Sequence, residues 1–251
     1  MKNLKAGTIA LACGLLLAVD ARADSDVLAP YHADYTLARN SLTLGVSHFS
    51  LVQDGGGRYT YTSNSETTGL AALFAGDVTV TQRSQFELKD GRPRSLGYSY
   101  VQTGKDKKSD SIQFDWSKLV AQGEDDGHKR KNPLTPEVSD VFLIQLILAA
   151  DAASGKLADG YKLLDHGSIT SYTPHKLPDQ KMKVGKVQVD ATVLELKEPT
   201  KGRAITVWLA PTFHYLPLQI QQTEPGKATI TLSLDDIAFG SPAPAAATTK
   251  K

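Results

Sequence analysis

The stretch Asp140–Ala153 (DVFLIQLILAADAA) decides the fold. Val141, Phe142, Leu143, Ile144, Leu146, Ile147 and Leu148 make its middle apolar around most of a helical circumference. A helix with no wet face belongs inside something rather than on it. Ser139 is placed as an N-cap, Asp140 stands at the positive end of the helix dipole, and Gly155 is placed to end the helix.

The flanks of this helix have a period of two, which is the signature of strands with one wet face. Tyr31, Ala33, Tyr35 and Leu37 alternate with polar neighbours, and Leu42, Leu44 and Val46 continue the pattern. Phe49 and Leu51 then take the other parity, so a bulge is expected near Ser47-His48. Asp54-Gly55-Gly56-Gly57 and Lys89-Asp90-Gly91-Arg92-Pro93 carry reversal chemistry, and Lys105-Asp106-Lys107-Lys108 precedes a strand with Ile112, Phe114 and Trp116. Downstream, Val187 to Val193, Ile205 to Leu209 and Ala228 to Leu234 alternate again. Gly69–Ala75 (GLAALFA) predicts a weaker helical turn, and Glu124–Val138, with charges of both signs and two prolines, reads as a loop. Antiparallel strands need only short turns, whereas every parallel pair needs a crossover. The fold class expected is mainly β (α+β): a strongly curved antiparallel sheet or half-open β-barrel wrapped around one apolar helix.

The ends of the chain carry other information. Lys2 and Lys5 precede an apolar run over residues 6–19, too short to span a bilayer, and Ala21-Arg22-Ala23 offers small residues to a signal peptidase. Residues 1–23 are therefore expected to be a secretory signal peptide cleaved after Ala23, delivering the protein to the periplasm. Lipidation at Cys13 competes with this, but the run stays apolar through Leu15, Leu16, Leu17 and Val19. Cleavage would remove the single cysteine, so the mature fold would have neither disulfides nor thiol chemistry. Residues 24–239 are expected to form one β-rich domain, with 240–251 as a disordered tail and no transmembrane span in the mature chain. With 28 Lys+Arg against 27 Asp+Glu, the chain lacks the basic excess of a nucleic-acid binder.

Motifs for catalysis are absent. There is no nucleophile elbow, phosphate loop or dinucleotide fingerprint. His32, His48, His128, His166, His175 and His214 do not share the short spacings of strand or helix metal sites. Asp165-His166-Gly167-Ser168 holds the residue types of a hydrolase triad, but adjacent residues cannot adopt its geometry. Asp125-Asp126 and Asp235-Asp236 read as solvated turns, and Lys129-Arg130-Lys131 as a solvated loop. No catalytic residue, metal ligand or cofactor is assigned. The candidates for a ligand site are Tyr59, Tyr61, Tyr98, Tyr100, Trp116, Phe142 and Trp208, as walls of a cavity inside the curved sheet, with Leu70, Leu73 and Phe74 at its lip.

Tyr31-x-Ala33-x-Tyr35, Thr68-Gly69-Leu70, Phe114-Asp115-Trp116, Ser139-Asp140, Trp208-Leu209-Ala210-Pro211 and Tyr215-Leu216-Pro217 stand in an order that resembles the bacterial DUF3108 family. The resemblance covers roughly Pro30 to Phe239, and Asp125–Lys131 departs from it. It implies an exported envelope protein, a family without an established activity, catalytic residue or cofactor, and no site residue carries over. The expected function is a non-enzymatic periplasmic binding or carrier protein for a hydrophobic or lipid-bearing envelope component. The alternative is a structural or interaction protein that docks on an envelope protein and holds no small molecule.

Overall fold

Alternating runs separated by short reversals become consecutive hairpins. In the computed structural model, which describes residues 27–69, 72, 77–104 and 106–240, the first half gives β1 (Tyr31–Arg39), β2 (Leu42–Gly55), β3 (Arg58–Thr67), β4 (Thr79–Lys89), β5 (Arg92–Thr103), β6 (Lys108–Asp115), β7 (Val120–Asp125) and β8 (His128–Pro133). The second half gives β9 (Val138–Asp140), α1 (Ile144–Ser154), β10 (Tyr161–Asp165), β11 (Ser168–Val184), β12 (Val187–Lys197), β13 (Ala204–Ala210), β14 (Leu216–Thr223) and β15 (Ile230–Phe239). The expected signal segment, Leu70, Leu73, Phe74 and residues 241–251 lie outside the described residues.

All strands join one sheet in the order β8-β7-β6-β5-β4-β3-β2-β1-β15-β14-β13-β12-β11-β10-β9. The first and last strands pair at its middle, and strands that follow each other in the chain, β8 and β9, form its two ends. Fifteen strands laid flat at ~4.8 Å spacing would be about 65 Å wide. Pro133 and Val138, however, are five residue steps apart, a reach of at most ~17 Å. The sheet therefore has to curl until its ends nearly meet, although no ladder closes it.

Every pairing is antiparallel except that of β9 with β10, where Lys162, Leu163 and Leu164 face Val138, Ser139 and Asp140. A parallel pair needs a crossover, and α1 supplies it. The helix packs against β5 and β14, and Ile144, Gln145, Leu146, Ile147, Leu148, Ala149 and Asp151 are buried. Tyr61 Oη donates to Gln145 Oε1 at 2.9 Å, and the Tyr61 ring stacks on Phe142 with centroids 4.4 Å apart.

Four expectations are corrected in detail. The helix begins at Ile144, not Asp140, because Asp140 ends β9. Ser139 is not the cap, since its hydroxyl donates to the Asp140 carbonyl; the Asp140 carboxylate accepts the amides of Phe142 (3.1 Å) and Leu143 (2.7 Å) instead. Gly155 ends the helix as expected, with φ 68° and its N–H on the helix carbonyls. The bulge lies at Leu44: Leu37 faces Gly45 and Ala38 faces Thr43. Gly45, Ser47, Phe49 and Leu51 all turn inward, so the chain does not slip at Ser47-His48. A Cβ on Gly45 would fall 1.8 Å from the Glu66 carbonyl oxygen, which explains the glycine beside the bulge. Finally, Glu124–Val138 is not a loop. Asp126 and Gly127, with φ of 46° and 82°, form a hairpin turn between β7 and β8. The lysines and arginine of β8 hide the strand pattern because this end strand has almost no buried face, and charge on an edge discourages further pairing.

Asp140 also ties the end strand β9 to two strands of the other half of the sheet. Ser84 of β4 and Ser95 of β5 donate to its two carboxylate oxygens at 2.6 Å each. The side chain is fully buried, and burial pushes its pKa up while the four donors hold it down in part, the net shift being upward. Asp140→Ala leaves these donors without an acceptor, and a loss of about 3 kcal/mol or more is expected in urea unfolding. Asp140→Asn, which keeps one oxygen, should lose clearly less.

Candidate functional site

Two cavities flank α1. The first, about 520 Å³, has apolar walls from Pro93 of β5, Trp116, Val138 of β9, Ile144 and Ile147 of α1, and Leu163 of β10. Ile144 and Ile147 share a helix face at i, i+3, which is how one element gives two adjacent wall residues. Trp116 is held rigidly: its Nε1 donates to the Ser95 carbonyl at 2.7 Å and the Arg94 guanidinium lies 5.2 Å over the ring.

The rim carries Lys89, Arg92, Arg94 and Glu137. Both guanidinium groups already have carboxylate partners. Arg94 pairs with Glu87, and Arg92 donates through Nε and Nη2 to the two oxygens of Asp151 at 2.8 Å each. The interior is thus left without an unpaired buried charge at these arginines, suited to an apolar body. Burial works to lower the Arg92 pKa, but its bonds to Asp151 outweigh this and raise it. The second cavity, about 490 Å³, lies beside Leu28, Ala150, Ala153 and Leu157 and shares Asp90 and Arg92 with the first.

Of the aromatic residues singled out from the sequence, Trp116 lines the first cavity. Tyr61 and Phe142 come together in a buried ring cluster that includes Tyr31, Tyr35 and Phe49. Tyr59 stacks on Phe86 at 5.1 Å. Tyr98 is buried with its hydroxyl on Gln82, and burial drives its pKa far upward. Tyr100 donates to Gln102 and meets the edge of His166 at 5.9 Å. Trp208 of β13 donates to Gln180 of β11 at 3.0 Å. Leu70, Leu73 and Phe74 are outside the described residues. Ile147, Val138 and Leu163 line the cavity without having been singled out. Only the Ile144/Ile147 spacing was a local signal for them, because β9 and β10 reach the helix through the fold.

A charged cluster joins the two ends of the sheet. Asp110 of β6, Asp165 of β10 and His166 of the β10–β11 turn each bring one donor atom within 4.8 Å of the others, the set from which a divalent ion could draw one imidazole and two carboxylates. His spacing in the sequence could not reveal it, since Asp110 and His166 are 56 positions apart. The His166 Nδ1 lies 2.8 Å from Asp125 Oδ1 of β7, its backbone N–H donates to Asp110, and Nε2 stands 3.9 Å from Asp165. The imidazole is therefore oriented across the sheet by Asp125 and not by its chain neighbour. Asn132 of β8 adds a bond to the Gly167 carbonyl at 3.1 Å. Burial raises the Asp110 and Asp165 pKa values. For His166, burial acts downward, but the Asp125 bond and the surrounding carboxylates outweigh it and raise the pKa. The His166 bond lowers that of Asp125.

A family model described as a protein of unknown function (DUF3108) matches residues 31–233. No curated protein matches the chain. Among solved structures, the fold is similar to that of a beta-barrel-like protein of domain of unknown function DUF1849 from Brucella abortus, with a TM-score of 0.56 and 11% identity. The match covers 85% of this chain and 99% of that one, a likeness of fold alone.

The raised pKa of His166 makes its contribution to stability complete below the ordinary imidazole value of about 6.5 and lost as pH rises through the folded value. Asp110 and Asp165, also raised, act in the same direction at lower pH, while Asp125 loses its contribution only as pH falls through its lowered value. Because His166 is half exposed, the effect is small, about 1–3 °C. The thermal midpoint should drop by that amount between about pH 6 and pH 8.5, and His166→Gln should flatten this slope.

Proposed function

The chain belongs to the DUF3108 family, and we propose that it is a non-enzymatic periplasmic protein that binds a hydrophobic ligand, an acyl chain or the lipid part of an envelope component, in the first cavity. In this reading the half-open barrel wraps the apolar helix and leaves the ligand a place between helix and sheet. The cavity of about 520 Å³ carries the proposal, since its size falls within the range of small-molecule sites and its walls are mainly apolar. Such a site gains affinity mostly by removing apolar ligand surface from water, ~25 cal/mol per Å² before ordering costs.

Among the described residues that line the cavity there is no histidine, and the Ser139 hydroxyl is engaged with the Asp140 carbonyl. Export rests on the leader read from residues 1–23. No helix among the described residues is long and apolar enough to cross a membrane.

Native mass spectrometry of protein purified from the periplasm should show co-purifying lipid, and unlabelled fatty acid should displace a fluorescent fatty acid. Ile147→Trp, which projects bulk into the cavity, should weaken that binding about tenfold or more while the circular dichroism spectrum is kept. A clean unliganded mass together with no fatty-acid binding would replace this reading with that of an envelope interaction protein.

A further inference from the structure

The two cavities meet at Asp90 and Arg92, where a bonded group of three side chains joins their linings. Arg92 lines both cavities, Tyr161 lines the first and Asp151 the second. Arg92 holds Asp151 through two bonds of 2.8 Å, Tyr161 Oη donates to Asp151 Oδ2 at 2.7 Å, and the guanidinium lies 5.5 Å over the Tyr161 ring. The groups come from β5, α1 and β10, so the arrangement is a tertiary construction. Cation and anion cancel within it, and each ring or fork is fixed by the other two.

The helix borders both cavities. Ile144 and Ile147 line the first; Ala150 and Ala153 of the same helix, and Leu157 beyond its Gly155 cap, line the second. Alanine on the far side leaves room where the near side has isoleucine. We propose that the second cavity is the distal subsite of the binding site, and that the Arg92–Asp151–Tyr161 latch limits the closed form to ligands short enough for the first. It rests on the first cavity being a ligand site. Opened, the latch lets the end of a longer acyl chain pass into the second cavity beside Ala150 and Ala153, toward Leu28 and Leu157.

The test is a chain-length profile. Octanoate, laurate and stearate compete with a fluorescent fatty acid on the wild-type protein and on Arg92→Ala/Asp151→Ala, which removes both charges together and so strands neither. The wild-type protein should favour laurate over stearate. The double variant should raise the ratio of stearate to octanoate affinity about tenfold. Adding Ala153→Phe, which fills the second cavity, should cancel that gain. Asp151→Asn, which keeps the side-chain volume, should shift the profile in the same direction but less, and serves if the double variant does not fold. A folded variant with an unchanged length profile, or a wild-type protein indifferent to length, overturns the latch while leaving the binding site standing. A wild-type protein that takes up no fatty acid of any length overturns the binding reading itself, and the latch with it.

Discussion

A short tether governs this fold. The segment from Pro133 to Val138 ties together the two ends of a sheet that, flat, would hold them several times farther apart. Curvature is therefore imposed by the order in which the strands are laid down: outward from β1 to β8, then from β9 at the opposite end inward to β15 beside β1. A curled sheet has an inner face, and an inner face of this size needs something apolar to cover. The connection after β9 must in any case cross over to reach the parallel strand β10, and the helix that makes the crossover buries Ile144, Leu146, Ile147 and Leu148.

The sheet ends are held near each other by side chains rather than by a ladder. Asp140 reaches from β9 to serines on β4 and β5, the Asp110–Asp125–His166 bonds reach from the β10–β11 turn to β6 and β7, and Asn132 ties β8 to the same turn. These are the costly kind of contact, because a buried carboxylate is tolerated only when its oxygens are satisfied. Asp140 meets that condition with hydroxyls and amides and without a cation. His166 sits at φ 45°, a conformation more usual for glycine or asparagine, so its imidazole is presented at the junction from a two-residue turn.

The interior is filled unevenly. Around Phe142 the rings of Tyr31, Tyr35, Phe49 and Tyr61 pack against one another, and Tyr35 caps the arrangement by donating to the Pro217 carbonyl at 2.7 Å. Farther along the helix, where its residues shrink from isoleucine to alanine, space remains on either side of the Arg92–Asp151 pair. Aromatic packing fixes the scaffold around Phe142, and the first cavity sets Trp116 and Tyr161 among aliphatic walls.

Much of the secondary structure was legible locally. Period-two runs gave β1, β3, β12 and β13, the Asp90-Gly91 turn gave the β4–β5 hairpin, and Gly155 gave the helix end, because each depends on neighbours a few positions apart. The same local signal in Asp126-Gly127 was masked by the charges of β8, a strand with no buried face to pattern. The sequence by itself determined that an apolar helix would be buried and that alternating strands would do most of the pairing. Tertiary structure alone decided that Asp140 is a tie rather than a helix residue, that Trp116 meets Ile147 across a cavity, and that Asp110 finds His166. Those residues are brought together by the closure of a long sheet, and periodicity along the chain carries no record of which distant positions that closure will oppose.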